Sequence, residues 1–291
     1  MYYLILVSLI WAFSFGLIKG QLSGIDPYFV SFIRLIISFL FFVPFMGKGL
    51  KWKRSGPLLA IGALQFGIMY ILYIYSYQFL AAWQIALFTI FTPLYVILFS
   101  DLWQRRIDGL YLVATFIAVL GGGLVVYDPL DSYELTLGFV LIQGANICFA
   151  LGQVAYKEIR VYYAGISDQV LMPFLYLGAV IVTLAASLMK TDFGVLQINT
   201  SQIWVLVYLG AVASGLGFFL WNLGATRVNS GALAVLNNLK APLAILVSVF
   251  IFNEAGNWFK ALLAGLLIFS ALILTSLKQK GIKDGVQYDK A

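Results

Sequence analysis

The costliest groups in this chain lie inside its most apolar stretches. In Gly231–Phe252, GALAVLNNLKAPLAILVSVFIF, stand Asn237, Asn238, Lys240 and Pro242. An ammonium at the centre of a bilayer costs about 3 kcal/mol on insertion scales. Pro242 has no N–H to offer the Asn238 carbonyl, which leaves an acceptor open in mid-helix. Asn237 and Lys240, three residues apart, share a helix face, and Asn238 points about 100° from Asn237. Hydrogen bonding to a polar solute is one chemistry this set can do. Gluing one helix to another is the plainer use of the same amides.

Arg34 is a second such group. No Asp or Glu lies deep in any apolar run to neutralise it. A guanidinium suits a carboxylate bidentately, and clamping a helix end is its structural alternative. Gln143, Asn146 and Gln153 form a stripe at helical spacing. Asn146 reads as a cavity wall, and Gln153 as near enough to a span end to be wet. Tyr70, Tyr73 and Tyr77 share a face: Tyr70 is central and its hydroxyl needs a partner, whereas Tyr77 reads as interfacial belt. Ser214, Phe218, Trp221 and Asn222 follow at helical spacing, and Tyr95 comes just after Pro93.

Other chemistries are excluded. There is no histidine, and Cys148 is the single cysteine. Imidazole relays, intrachain disulfides and Cys/His metal sites therefore fall away. No paired acids and no nucleophile beside a base support an intramembrane enzyme or sensor. Gly121-Gly122-Gly123 lies in an apolar run without phosphate-loop context and reads as tight helix packing. No cofactor is expected, and no ATP is hydrolysed by this chain.

These residues need a bundle to hold them. Of 291 residues, 62% are hydrophobic and 10% charged, with a mean hydropathy of +0.96. A soluble domain of that balance would expose large apolar patches. The chain reads as an all-α polytopic membrane protein whose partner is the lipid bilayer. Ten spans are predicted, at 2–18, 28–46, 56–79, 84–101, 108–127, 136–156, 168–189, 203–223, 231–252 and 257–277. Spans five and ten carry almost no polar residues and are placed at the periphery. The first begins at residue 2 without a basic leader and reads as a retained helix.

The net charge of +6 sits in the connections and signals no nucleic acid. With the N-terminus in the cytoplasm, the inner loops and the tail, 278–291, carry thirteen basic residues, among them Lys53, Arg54, Arg105, Lys157 and Arg160. The outer loops carry three: Lys19, Lys190 and Lys260. Both termini are therefore expected in the cytoplasm.

An internal repeat divides the chain. Gly62-Ala63-Leu64 and Gly67 recur 148 residues later as Gly210-Ala211-Val212 and Gly215. Pro93 recurs as Pro242 at a separation of 149, and Phe13 and Gly16 as Phe149 and Gly152 at 136. Residues 1–130 and 131–277 thus read as two five-helix repeats. The odd span number inverts the second against the first, as in secondary transporters that work by alternating access. A channel would want a charged ring, which is missing.

At that point the chain resembles the EamA-type branch of the drug/metabolite transporter superfamily. The resemblance rests on Trp11-Ala12-Phe13-Ser14, Arg34, Thr92-Pro93-Leu94, and Pro242 followed by Glu254, and it covers nearly the whole chain. Gly67-Ile68-Met69-Tyr70, Thr92-Pro93-Leu94-Tyr95, Trp221-Asn222 and Asn237-Asn238 bring it nearest to the biotin transporters of that branch. Asp101 stands where the family pattern puts a Glu after span four.

The resemblance implies biotin uptake across a bacterial inner membrane, by a chain that could be monomeric. Biotin's ureido ring would meet Asn146, Asn222, Asn237 and Asn238. Its fused rings would lie on Tyr70, Tyr95 or Trp11, with Trp221 a further candidate. Its carboxylate would take Arg34 or Lys240. Other small carboxylates fit the same inventory. Export of amino acids, amines or other metabolites is the alternative, as in the wider superfamily. Proton coupling would have to run through Lys240, or is absent.

Overall fold

A computed structural model describes residues 1–46, 49–50, 52–105, 117, 120, 132–228, 230–253, 266, 270 and 273. Seven helices among them are long and apolar enough to cross a membrane. They are α1 (Tyr2–Leu22), α2 (Pro27–Phe45), α3 (Gly56–Ser76), α4 (Ala82–Trp103), α5 (Tyr133–Tyr163), α6 (Asp168–Lys190) and α7 (Thr200–Ala225). An eighth, α8 (Ser230–Phe250), carries a shorter apolar stretch, Leu239–Ser248. The chain is an all-helical, multi-pass membrane protein. Apart from residues 117, 120, 266, 270 and 273, predicted spans five and ten lie outside the described residues, as do Gly121–Gly123, Glu254, the tail and the side chain of Asn238.

The outer surface is apolar, and polar groups are set within a hydrophobic core. Leu6, Leu9, Phe13, Leu40, Phe41, Ile181 and Leu188 face outward, while Ser8, Ser14, Ser31, Arg34, Ser38 and Gln65 are buried. Lipid accepts the first set, and partners inside the bundle must satisfy the second. Ser8, Ser31, Ser38 and Thr183 donate to carbonyls four residues back. Caps fix the helix starts. Asp26 accepts from the Phe29 N–H at 2.8 Å ahead of Pro27, and Asn199 and Gln202 bond reciprocally at 2.9 Å. The α5–α6 turn is closed by the Arg160–Asp168 ion pair at 3.1 Å, with Gly165 at φ +82° between them.

Neighbours in space follow the order α1, α8, α4, α5, α3, α2, α7 and back to α1, with α6 packed outside against α2 and α3. Interchanging α1 with α5, α2 with α6, α3 with α7 and α4 with α8 preserves the main contacts: α1–α8 becomes α5–α4, and α2–α7 becomes α6–α3. Glycines set the closest approach. A Cβ added at Gly62 would stand 1.8 Å from the Leu175 carbonyl oxygen, and one at Gly178 would stand 2.0 Å from that of Leu59. The backbones of α3 and α6 thus touch directly.

Three helices depart from α geometry near mid-membrane. A π turn, Ala63–Ile68, interrupts α3, another, Leu209–Leu216, interrupts α7, and Thr89–Phe91 is a 3₁₀ turn just before Pro93 in α4. Such turns are frequent at functional sites.

Candidate functional site

The seven inner helices line a cavity of about 70 Å³. Its lining comes from Trp11, Ser14 and Phe15 of α1, Arg34 of α2, and Met69, Tyr70 and Tyr73 of α3. Thr89 and Thr92 of α4, Ala145, Asn146 and Phe149 of α5, Phe218 of α7 and Lys240 of α8 complete it. The volume admits a few waters and falls below the ~300 Å³ of an ordinary ligand pocket. A vitamin-sized solute requires the helices to part.

At one side Arg34 is 2% exposed and held by two helices. Its Nη2 donates to the Tyr70 hydroxyl at 2.8 Å and to Ser214 Oγ at 3.1 Å, and those two hydroxyls bond each other at 2.8 Å. The guanidinium carbon lies 4.6 Å from the Tyr70 ring centre. Nε and Nη1 are buried with no partner among the described residues.

Opposite stands Lys240, 6% exposed. Its Nζ lies 5.1 Å from the Trp11 ring centre and 5.2 Å from that of Phe149. Trp11 is fixed by donating its Nε1–H to the Ala213 carbonyl at 2.8 Å. Phe218 stands between the two cations, its ring centre 5.6 Å from Tyr70 and 5.3 Å from Trp11.

The π turn of α7 is what the surrounding polar side chains hold. Ser38 donates to the Gly210 carbonyl at 2.8 Å, and Tyr176 donates to the carbonyls of Ser214 and Gly215 at 2.9 and 2.7 Å. With Trp11 on Ala213, side chains from α1, α2 and α6 engage the backbone groups of this irregular turn.

Of the ten residues singled out from the sequence, Trp11, Arg34, Tyr70, Asn146 and Lys240 meet around the cavity. Asn146 faces it while already bonded: Nδ2 donates to the Phe88 carbonyl at 2.8 Å, and Oδ1 accepts from Thr92 at 3.0 Å. Tyr95 stands one layer back, donating to Gln143 Oε1 at 3.1 Å.

Trp221, Asn222 and Asn237 form a separate buried layer with two glutamines. Gln153 Oε1 accepts from Trp221 Nε1 at 3.0 Å and from Asn237 Nδ2 at 3.3 Å. Gln65 Nε2 donates to Asn222 Oδ1 at 2.9 Å. Trp221 also packs on Trp11, ring centres 5.0 Å apart, so this layer floors the cavity.

Two expectations change. Gln153, expected to be wet, is fully buried because Trp221 and Asn237 both claim its carbonyl oxygen. Tyr77, read as interfacial belt, is 1% exposed, its hydroxyl 2.7 Å from that of Tyr73. Gln65 and the cavity wall at Thr89 and Phe149 were missed as site residues. Gln65 carried a usable signal, a lone amide in an apolar run. Phe149 was legible only as a repeat match.

Helices ringed around an aromatic cavity with two cations, in a chain that crosses the membrane repeatedly, have the build of a solute transporter. A profile of the EamA-like transporter family matches residues 1–127 and 136–276, and the chain belongs to that family. It is a transporter and not an enzyme. Its curated relatives include a probable biotin transporter of Pseudomonas aeruginosa, 37% identical over 286 residues, covering 97% of this chain and 100% of the relative. The biotin transporters of Salmonella typhimurium and Escherichia coli K12 are 36% and 35% identical, covering 94% and 92% of this chain and 90% of each relative. A crystal structure 16% identical in sequence superposes with a TM-score of 0.68 over 97% of this chain and 96% of its own, a likeness of fold.

Proposed function

We propose that this protein is a secondary transporter that takes up biotin across a bacterial inner membrane by alternating access. The observation that carries the reading is the small central cavity, lined by all seven inner helices and by Arg34, Tyr70, Asn146 and Lys240. Similarity to biotin transporters over nearly the whole chain supports the substrate. Biotin pairs an apolar bicycle with a ureido group at one end and a carboxylate at the other. The rings of Trp11, Phe149 and Phe218 suit the first, and Lys240 and Asn146 bring polar groups to the same cavity for the others.

Two inverted five-helix repeats give the motion. The paired exchange of helix neighbours supports such a repeat, as do the matched π turns of α3 and α7. The basic inner loops support cytoplasmic termini. The chain completes its cavity alone, which suits a monomer.

Uptake of labelled biotin by proteoliposomes holding the purified chain tests this reading. Saturable uptake, competed by unlabelled biotin and not by an amino-acid or amine panel, is expected. Competition by amines and not by biotin would assign the chain to the exporting members' class of substrate.

A further inference from the structure

We propose that Lys240, and not Arg34, holds an anionic carboxylate of the transported solute. The cavity then selects monoanions with an apolar body and turns away amines. The inference rests on reading this cavity as the substrate site.

The two cations are unequally available. Arg34 is committed: Nη2 serves Tyr70 and Ser214, and the Tyr70 ring covers the guanidinium. Its remaining nitrogens are buried within the wall. They present no surface to the cavity, so a solute meets them only if the wall itself opens.

Among the described residues Lys240 has no such tether. Its ammonium lies over the rings of Trp11 and Phe149, an attraction that uses none of its hydrogen-bond directions. Among the described residues no carboxylate lines the cavity. The Arg160–Asp168 ion pair lies away from it, at the α5–α6 turn. A buried ammonium with ring faces and no anion gains most from a carboxylate arriving with the solute.

Charge decides the class. Arg34 and Lys240 face a cavity with no lining anion among the described residues, so a cationic solute meets like charge from both sides. Trp11, Phe149 and Phe218 beside the ammonium offer area to an apolar body attached to the acid.

The test compares acid–amide pairs on the purified full chain. Biotin and biotinamide compete for labelled biotin, and hexanoate and hexanamide are compared without label by the ligand concentration needed to raise the unfolding temperature. The unaltered protein should favour each acid over its amide by about 10- to 100-fold, the range of a charge-assisted hydrogen bond. Lys240→Gln should shrink the ratio to about threefold or less, and Lys240→Arg should restore it. Arg34→Gln should lower the unfolding temperature and keep the ratio. Tyr70→Phe, which loosens the same clamp, replaces it if Arg34→Gln does not fold.

A ratio that survives Lys240→Gln, or collapses in Arg34→Gln with Lys240 present, overturns the assignment. So does the absence of any acid preference in the unaltered protein with both pairs. If biotin and biotinamide fail to bind while hexanoate stabilises through Lys240, the biotin reading falls and the anchor stands.

Discussion

α3 and α7 are built alike and equipped differently. Each runs as an α-helix, a π turn and a second α-helix. Gly62, Phe66, Gly67 and Tyr70 stand 148 residues before Gly210, Ser214, Gly215 and Phe218. The matched rings of Tyr70 and Phe218 touch, yet only Tyr70 carries a hydroxyl. At the other matched pair the polar group is on α7, where Ser214 stands against Phe66. The two hydroxyls that hold Arg34 are thus divided between the helices, and the clamp exists only where both are assembled. A duplicated backbone does not imply duplicated chemistry.

The largest effect should separate the two helices at their first matched glycine. Gly62 faces a backbone carbonyl that cannot retreat, whereas Gly210 faces mainly the Ile37 side chain, at 2.8 Å from an added Cβ. Gly62→Ala should cost roughly 3 kcal/mol or more, and Gly210→Ala about 1 kcal/mol. Denaturant unfolding in detergent measures both, and equal losses would break the asymmetry.

Next comes the hydroxyl. Tyr70→Phe makes α3 match α7 at this position and removes a bond to a buried charge, a loss of about 2 kcal/mol. The same unfolding assay reads it, and unchanged stability would mean that Ser214 alone holds Arg34. A smaller loss, about 1 kcal/mol, is expected for Trp221→Phe, which deprives Gln153 of a donor. Solute affinity should fall less there than for Trp11→Phe, since Trp11 lines the cavity and Trp221 does not. Tyr95→Phe should be smallest, about 0.5 kcal/mol, because the bond it loses to Gln143 is only partly buried. Titration with labelled biotin orders the three.

Much of this was legible in the sequence because membrane burial makes polar groups expensive. Arg34, Tyr70, Asn146 and Lys240 stood out on cost alone, and the cavity gathers them. Helical periodicity gives the face of a residue and not its partner. Asn222 and Asn237 were therefore grouped with the cavity, although Gln65 and Gln153 on other helices engage their amides one layer away. Tyr77 was misjudged for a related reason, since distance along a span says little about what α1 and α3 enclose. Phe149 and Phe218 could not be told from lipid-facing rings by type. Seven helices long and apolar enough to span came directly from apolar runs. The π turns did not, because they need tertiary partners such as Ser38 and Tyr176 to engage their carbonyls.

The bond from Trp11 to Ala213 also sets a schedule for biogenesis. Ala213 follows Trp11 by 202 residues, roughly 10–40 s at the usual pace of synthesis. The main neighbours of α1 are α8 and α7, which emerge after all the other described helices. During that interval the indole N–H of α1 lacks its final acceptor, and a tryptophan in that position favours the headgroup layer. The helix that comes first among those described is therefore among the last to gain its main neighbours.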